Sequence, residues 1–483
     1  MSIRAATLRR WSLTSPLSKF VCTRLTSPLA TTQVVVCAPS TATASYFLQN
    51  RNFTSVRAAN SSWSSRTTGF FTQQRRGRAT TPEAKTNEVD KRQIVSTTTN
   101  DKCKWLEVTW SDYLGRYPYV WMRDNCRCDE CYYPSCHSRS MLMANLDLDV
   151  HPKTVEIKDD GHLVEILWSD GHISPYRSDW LKLQRFDKTD YDPIKKLSKF
   201  SWGSEFVNKI PTFPFDDVMT KNDALQGWME GLVVYGLVKI TGAPCELGAL
   251  NKLCQKVAFE RKTFYGPVYQ VQSIFEPGSS LAYTAKSLGL HTDLPYYDYR
   301  PGVQMLHCIR QVESRGGENQ FCDGKRAAEQ LQREHPELFD ILTKVKIDYR
   351  IIAQDYIDVH LQKAQNMIEL DENGEFKYVA KSDIVRAPYL NVPVEDVAKV
   401  YKAMKAFEDA IYDENNFLDF KVQKGEIMAF DNNRVLHGRR GYSVSMEGEG
   451  SKSRLLEGAY LDWDEIYSRM RLIDEELRGT ARL

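Results

Sequence analysis

The chain lacks any apolar run near the roughly 20 residues that a membrane-spanning helix needs. Its richest stretch, Leu232 to Ile240, is far shorter and carries Lys239. Glycine and proline are modest, at 26 and 19 in 483 residues, which excludes a collagen-like or mostly disordered chain. A secreted disulfide framework is missing too, because eleven cysteines are spread too thinly for a chain this long. Cys245, Cys254, Cys308 and Cys322 stand singly in apolar surroundings, as buried thiols do. Acidic residues are absent from the first 82 positions, which hold eleven Arg or Lys. The remainder has 53 basic and 63 acidic residues, a net of −10. An acidic body excludes a general nucleic-acid binder, which needs clustered Lys and Arg against phosphate.

An acid-free start rich in Arg and Ser has the composition of an organelle transit peptide. Residues 1–82 are therefore expected to be a mitochondrial presequence leading to the matrix. A disordered basic tail on a cytoplasmic protein is the alternative. The polar, Thr-rich stretch 83–100 reads as a linker. From Cys103 to about Phe186 short period-two segments recur, Trp105-Leu-Glu-Val-Thr-Trp, Thr154-Val-Glu-Ile and Leu163-Val-Glu-Ile-Leu-Trp. The pairs Asp160-Gly161 and Asp170-Gly171 break them, so residues 101–186 are expected to form a small β-rich module with hairpins. The charged stretch 187–215 reads as a connector.

Residues 216–483 form the main body. Helices are expected over Asn222–Glu230, Leu247–Glu260, Lys325–Glu334, Pro336–Thr343 and Val394–Tyr412. Strands are expected over Leu232–Ile240, Val303–Gln311, Phe420–Lys424, Glu426–Asp431 and Arg454–Leu461. Regular βα alternation is absent, so the fold class is mainly β with flanking helices, an antiparallel sandwich rather than a wound parallel sheet.

Two clusters carry chemistry. Cys126, Cys128 and Cys131 fall within six residues, and three thiolates on one loop can converge on a tetrahedral Zn²⁺. The fourth ligand is open among Cys136, His137, His151, His162 and His172. His172 lies in the rigid turn Ser169-Asp-Gly-His after a strand. Four protein ligands leave no open position, so such a site is structural. The plain alternative is a loop of free, oxidisable thiols.

The second cluster is Leu290-His291-Thr-Asp293-Leu-Pro295. In a strand, residues two apart face one side, so His291 and Asp293 can share a centre. His437, after the strand Glu426–Phe430, completes two imidazoles and a carboxylate, the facial triad of non-haem Fe(II) oxygenases. A 2-oxo acid and O₂ fill the three open positions. Arg454 follows on a later strand and can pair the acid's far carboxylate. A His-x-Asp alone is commonly accidental, and a zinc hydrolase or a catalytically silent jelly-roll binding partners through the zinc module are the competing readings.

Longer motifs make the likeness specific. Trp121-Met-Arg-Asp-Asn-Cys, His291-Thr-Asp, Pro301-Gly-Val-Gln-Met-Leu-His-Cys-Ile, Val435-Leu-His437-Gly-Arg and Leu456-Glu-Gly-Ala-Tyr460-Leu-Asp-Trp resemble the gamma-butyrobetaine and trimethyllysine dioxygenases of carnitine synthesis. The likeness runs from about Leu106 to the carboxyl end. The complete Cys126, Cys128, Cys131 set and the Glu457-to-Trp463 tail resemble the gamma-butyrobetaine branch. The resemblance implies a double-stranded β-helix (jelly-roll) catalytic domain, a homodimer, and a zinc module held by Cys126, Cys128, Cys131 and His172. It implies Fe(II) on His291, Asp293 and His437, 2-oxoglutarate as co-substrate on Arg454, and ascorbate as reductant. The implied reaction consumes O₂, releases succinate and CO₂, and places a hydroxyl on carbon 3 of gamma-butyrobetaine to give L-carnitine. A quaternary ammonium cannot donate a hydrogen bond, so aromatic faces hold it. The implied cage is Tyr265, Tyr269, Tyr283 and Tyr460. There are departures from the family pattern. Tyr269 stands where the family often has Trp, and Ser280 where an Asn is expected beside substrate or oxo acid. No Asn is found around Ser382 and Asp383, and an insertion at Glu447-Gly-Glu-Gly-Ser lengthens the path from His437 to Arg454.

Overall fold

The computed structural model describes residues 90–478 apart from 188–191, 193, 195–196, 273–283, 313–314, 355 and 444–453. The expected presequence, residues 1–82, lies outside the described residues. No helix among the described residues is long and apolar enough to cross a membrane.

The amino-terminal module is two three-stranded antiparallel sheets around one core. Ile94–Asn100, Trp105–Trp110 and Leu114–Pro118 form the first, and Pro152–Lys158, Leu163–Trp168 and Ile173–Arg177 the second. Alternation does the work expected of it. Leu106, Val108 and Trp110 of one sheet meet Val164, Ile166 and Trp168 of the other, while their neighbours face outward. The Asp-Gly pairs sit in the two turns of the second sheet, and Gly171, at φ +87°, adopts the left-handed backbone that glycine accepts without a Cβ clash. Residues 94–100, read as the end of a linker, form an edge strand instead.

The body contains a six-stranded and a four-stranded sheet. The larger runs Val268–Gln272, Leu455–Leu461, Val303–Arg310, Ile427–Asp431, Leu237–Thr241, Thr212–Pro214, antiparallel except at the last pair. The smaller runs Leu288–His291, Val435–Arg439, Asn319–Asp323, Phe417–Phe420, all antiparallel. Their inner faces meet. Leu306, Met428, Phe430 and Leu456 of one pack with Phe321, Leu418 and Val435 of the other. Each such side chain is worth about 1.5–3 kcal/mol by burial, so the pairing of the sheets is dictated by these rows. The outer face of the larger sheet is covered by helices Asn222–Tyr235, Ala249–Val257 and Trp463–Arg478. Helices Gly324–Glu334, Pro336–Lys344 and Val397–Ile411 pack in a separate cluster with the hairpin Lys346–Gln354/Asp358–Asn366. The fold is mainly β with flanking helices, as read from the sequence.

Three local readings change. The expected strand Leu232–Ile240 begins as helix, because Asn222–Tyr235 continues one turn further to bury Leu232 and Val233. Gly236, at φ +70°, closes that helix, and the strand starts at Leu237. The expected strand Phe420–Lys424 is Phe417–Phe420, with a turn following into Gly425. The carboxyl-terminal helix escapes notice because its charged sequence shows only the spaced stripe Ile466, Met470, Ile473. Residues 202–210 also do more than connect, since Trp202, Phe206 and Ile210 enter the core between the sheets.

Candidate metal centres and active-site cavity

In the amino-terminal module His172 Nε2 lies 3.2 Å from Cys126 Sγ, 3.4 Å from Cys128 Sγ and 3.5 Å from Cys131 Sγ. A tetrahedral Zn²⁺ with ordinary Zn–S and Zn–N bonds sets N···S edges at about 3.5 Å, so this donor set fits zinc. No other candidate joins it: among the described residues the cluster is these four alone. The hairpin turn aims the imidazole. Asp170 Oδ1 accepts from the His172 backbone N–H at 2.9 Å, and Asp170 Oδ2 accepts from Arg123 Nε at 2.8 Å. Burial, then the Arg123 charge, lowers the proton affinity of His172 and keeps a lone pair available. His137, by contrast, bonds the Tyr132 hydroxyl.

The second centre is built where two strands of the smaller sheet pair. His291 ends Leu288–His291 and stands opposite His437 in Val435–Arg439, their rings 4.3 Å apart. The ligand atoms of His291, Asp293 and His437 all lie within 4.8 Å of one another. Asp293 is not on the strand, however. It follows the strand's end and precedes Leu294, whose φ of +57° is a strained conformation for that residue. Asn432 holds this bend by two reciprocal bonds, accepting from Asp293 N at 2.7 Å and donating to Asp293 O at 3.0 Å. From the other side buried Lys381 donates to Leu290 O at 2.9 Å, its charge balanced by Asp383 and Glu408 at 2.9 and 2.7 Å.

The three groups are in the right states for a divalent ion. His291 Nδ1 lies 2.8 Å from Gly289 O, which only accepts, so Nδ1 carries the proton and Nε2 is free to ligate. Burial pushes His437 down to about 3, leaving it neutral. Burial works against the Asp293 charge. Donors aimed at it, the Tyr460 hydroxyl at 2.6 Å among them, and the two imidazoles beside it hold the carboxyl well below its usual range. Two imidazoles and one carboxylate with open space beside them suit Fe(II).

That space is a cavity of about 260 Å³. Tyr265, Tyr269 and Tyr460 line it in series, Tyr265 tilted against Tyr269 and Tyr269 stacked on Tyr460, with centroids 5.4 Å apart at both steps. Tyr269 lies flat on the backbone of Gly458, where any Cβ would collide with its ring. Arg454 lines the same cavity and is 2% exposed. It has no carboxylate partner among the described residues. Among the described residues its one hydrogen bond runs to Asn319 Oδ1 at 3.3 Å, and its Nε has none. Burial, then the nearby Arg439, lowers it to about 10. A buried guanidinium without a counter-ion fits an anion such as the far carboxylate of an oxo acid. Ser280 and Tyr283 lie outside the described residues. Sequence reasoning missed Asn432, Lys381, Gln304 and Asn319. Only Asn432, in the turn motif Asp431-Asn-Asn, carries a local signal.

Residues 193–460 match the family described as Taurine catabolism dioxygenase TauD, TfdA family, and residues 97–182 match one described as Gamma-butyrobetaine hydroxylase-like, N-terminal. The chain belongs to the TauD, TfdA dioxygenase family. Its relatives in that family include the gamma-butyrobetaine dioxygenase of Homo sapiens, 36% identical over 384 residues, which are 78% of this chain and 97% of that one. The gamma-butyrobetaine dioxygenase of Pseudomonas sp. (strain AK-1) is 31% identical, covering 76% of this chain and 93% of that one. The mitochondrial trimethyllysine dioxygenase of Mus musculus is 29% identical, covering 78% and 89%. The enzyme is a dioxygenase of the gamma-butyrobetaine type, and the family resemblance read from its motifs holds.

Two outcomes follow from the geometry. The purified dioxygenase should carry about one equivalent of zinc, and Cys128→Ser should lower that content and the module's thermal stability together. Metal analysis finding no zinc in a stable protein contradicts the assignment. Gly458→Ala should displace Tyr269 and weaken binding of a quaternary ammonium ligand by about tenfold or more, measured by calorimetry, because the added methyl has no free space.

Proposed function

We propose that this dioxygenase hydroxylates gamma-butyrobetaine to L-carnitine, with Fe(II) on His291, Asp293 and His437 and 2-oxoglutarate as co-substrate. When bound, the ferrous ion supplies O₂ activation coupled to conversion of the oxo acid to succinate and CO₂. The protein's share is positioning. Arg454 pairs the far carboxylate of the oxo acid. Tyr265, Tyr269 and Tyr460 offer neutral aromatic faces to a trimethylammonium group, each worth up to roughly 2 kcal/mol when desolvated. Tyr283 is proposed as a fourth member of the cage and Ser280 as a contact of the oxo acid.

The observation that carries the reading is the charge inventory of the cavity. Its described lining has two guanidinium groups, Arg439 and Arg454, and no carboxylate besides Asp293. Gamma-butyrobetaine brings one carboxylate and one quaternary ammonium. Trimethyllysine adds an α-ammonium, for which the described lining offers no spare carboxylate. Trimethyllysine is therefore the second reading, supported by the likeness to the Mus musculus enzyme. A structural zinc in the amino-terminal module, ascorbate as reductant, a homodimer, and mitochondrial delivery by residues 1–82 belong to the same proposal, with the cytoplasm as the alternative location.

The test is succinate release with each betaine, products identified by mass. Gamma-butyrobetaine should be turned over at least about tenfold more efficiently than trimethyllysine, as befits a missing charge partner. Equal or better use of trimethyllysine overturns the choice. Arg454→Met should raise the KM for 2-oxoglutarate by about 100-fold, the scale of leaving a carboxylate unpaired in a buried site.

A further inference from the structure

Gln304 lies within the larger sheet on Val303–Arg310, opposite Tyr460, and is 2% exposed. Its neighbours Val303 and Met305 face the helix-covered core, so alternation turns Gln304 to the cavity side, where it lines the wall. A carboxamide is costly there. Its Oε1 is buried and has no hydrogen-bond partner among the described residues, a desolvation penalty that methionine would not carry. The nitrogen side accounts for its presence. Nε2 donates to Asp293 Oδ2 at 2.7 Å and to the Tyr269 hydroxyl at 2.9 Å. The ionised carboxylate only accepts, so the amide cannot be turned the other way. Tyr460 donates to the same Asp293 oxygen at 2.6 Å, and its ring stacks on that of Tyr269.

We propose that Gln304 is a positioning residue that fixes the orientation of Asp293 and tethers it to Tyr269, so that a divalent ion at the triad and an occupant of the aromatic wall favour each other's binding. An occupant that stills the Tyr269 ring also holds the amide, and the amide holds the carboxylate. Ordering done by the first ligand need not be repeated by the second, and the effect is reciprocal. The ligand half of this inference rests on the quaternary-ammonium reading of the cavity; the metal half does not.

The experiment uses the full chain with zinc left in place and Mn(II) as the probe, because Mn(II) prefers N and O donors over a thiolate site. Free Mn(II) is counted by electron paramagnetic resonance, without oxo acid, with and without saturating gamma-butyrobetaine. In the parent, gamma-butyrobetaine should tighten Mn(II) binding by about fivefold or more. Gln304→Met should weaken Mn(II) binding by about 10- to 100-fold, the range for lost support of a ligating carboxylate, and diminish the response to gamma-butyrobetaine. Tyr269→Phe keeps the aromatic face and the amide–carboxylate bond. It should leave the Mn(II) affinity within about twofold of the parent while diminishing the response, and it serves if Gln304→Met fails to fold. Parent-like Mn(II) affinity in Gln304→Met, or an undiminished response in both variants, overturns the tether. If gamma-butyrobetaine does not bind the parent at all, the substrate reading falls, and the Mn(II) affinity of Gln304→Met still decides the metal half.

Discussion

A carboxylate kept ionised inside a protein is the constraint on which the catalytic end of this molecule turns. Burial opposes the charge on Asp293, and hydrogen bonds from Tyr460 and Gln304 help sustain it beside the two imidazoles. Its position depends on partners far away in sequence. Asn432 clamps its backbone, and Lys381 props the preceding strand end. The pairing of Leu288–His291 with Val435–Arg439 brings the second imidazole alongside. If the sheets slipped by one residue, each side chain would turn to the opposite face and the triad would disperse.

Both candidate metal centres use the same device. In each, a ligand sits just where regular structure stops, at a hairpin turn for His172 and beyond a strand end for Asp293. Side chains help hold the backbone there, Asp170 at His172 and Asn432 at Asp293. The two centres differ in their openness. The Cys3His set would use all four tetrahedral positions on protein atoms, whereas the triad faces a cavity lined by both tyrosines and guanidinium groups. That combination of cation-binding faces and anion-binding fork is what a zwitterionic substrate and a dicarboxylate co-substrate require.

The sequence makes legible whatever is encoded by short spacing. Three thiols within six residues, an imidazole two positions from a carboxylate, and alternating strands broken by Asp-Gly pairs each state their structure locally. The apolar run Leu232–Ile240 does not, since a buried helix end and a buried strand look alike until Gly236 is recognised as the cap. Gln304 and Lys381 are silent in the sequence for a different reason. Their chemistry arises only when Val303–Arg310 pairs with Leu455–Leu461, or when Lys381 meets Leu290, and no periodicity announces either. The presumed strand geometry of His291 and Asp293 reaches the right pair by the wrong route, because a strained turn at Leu294, not a strand face, aims the carboxylate.

The most direct examination of this account is an anaerobic crystal structure of the protein loaded with Fe(II) and 2-oxoglutarate, with iron located by its anomalous scattering. The account predicts one iron bound by His291, Asp293 and His437, with the far carboxylate of the oxo acid on Arg454. Iron elsewhere, or an oxo acid whose far carboxylate avoids Arg454, would contradict it.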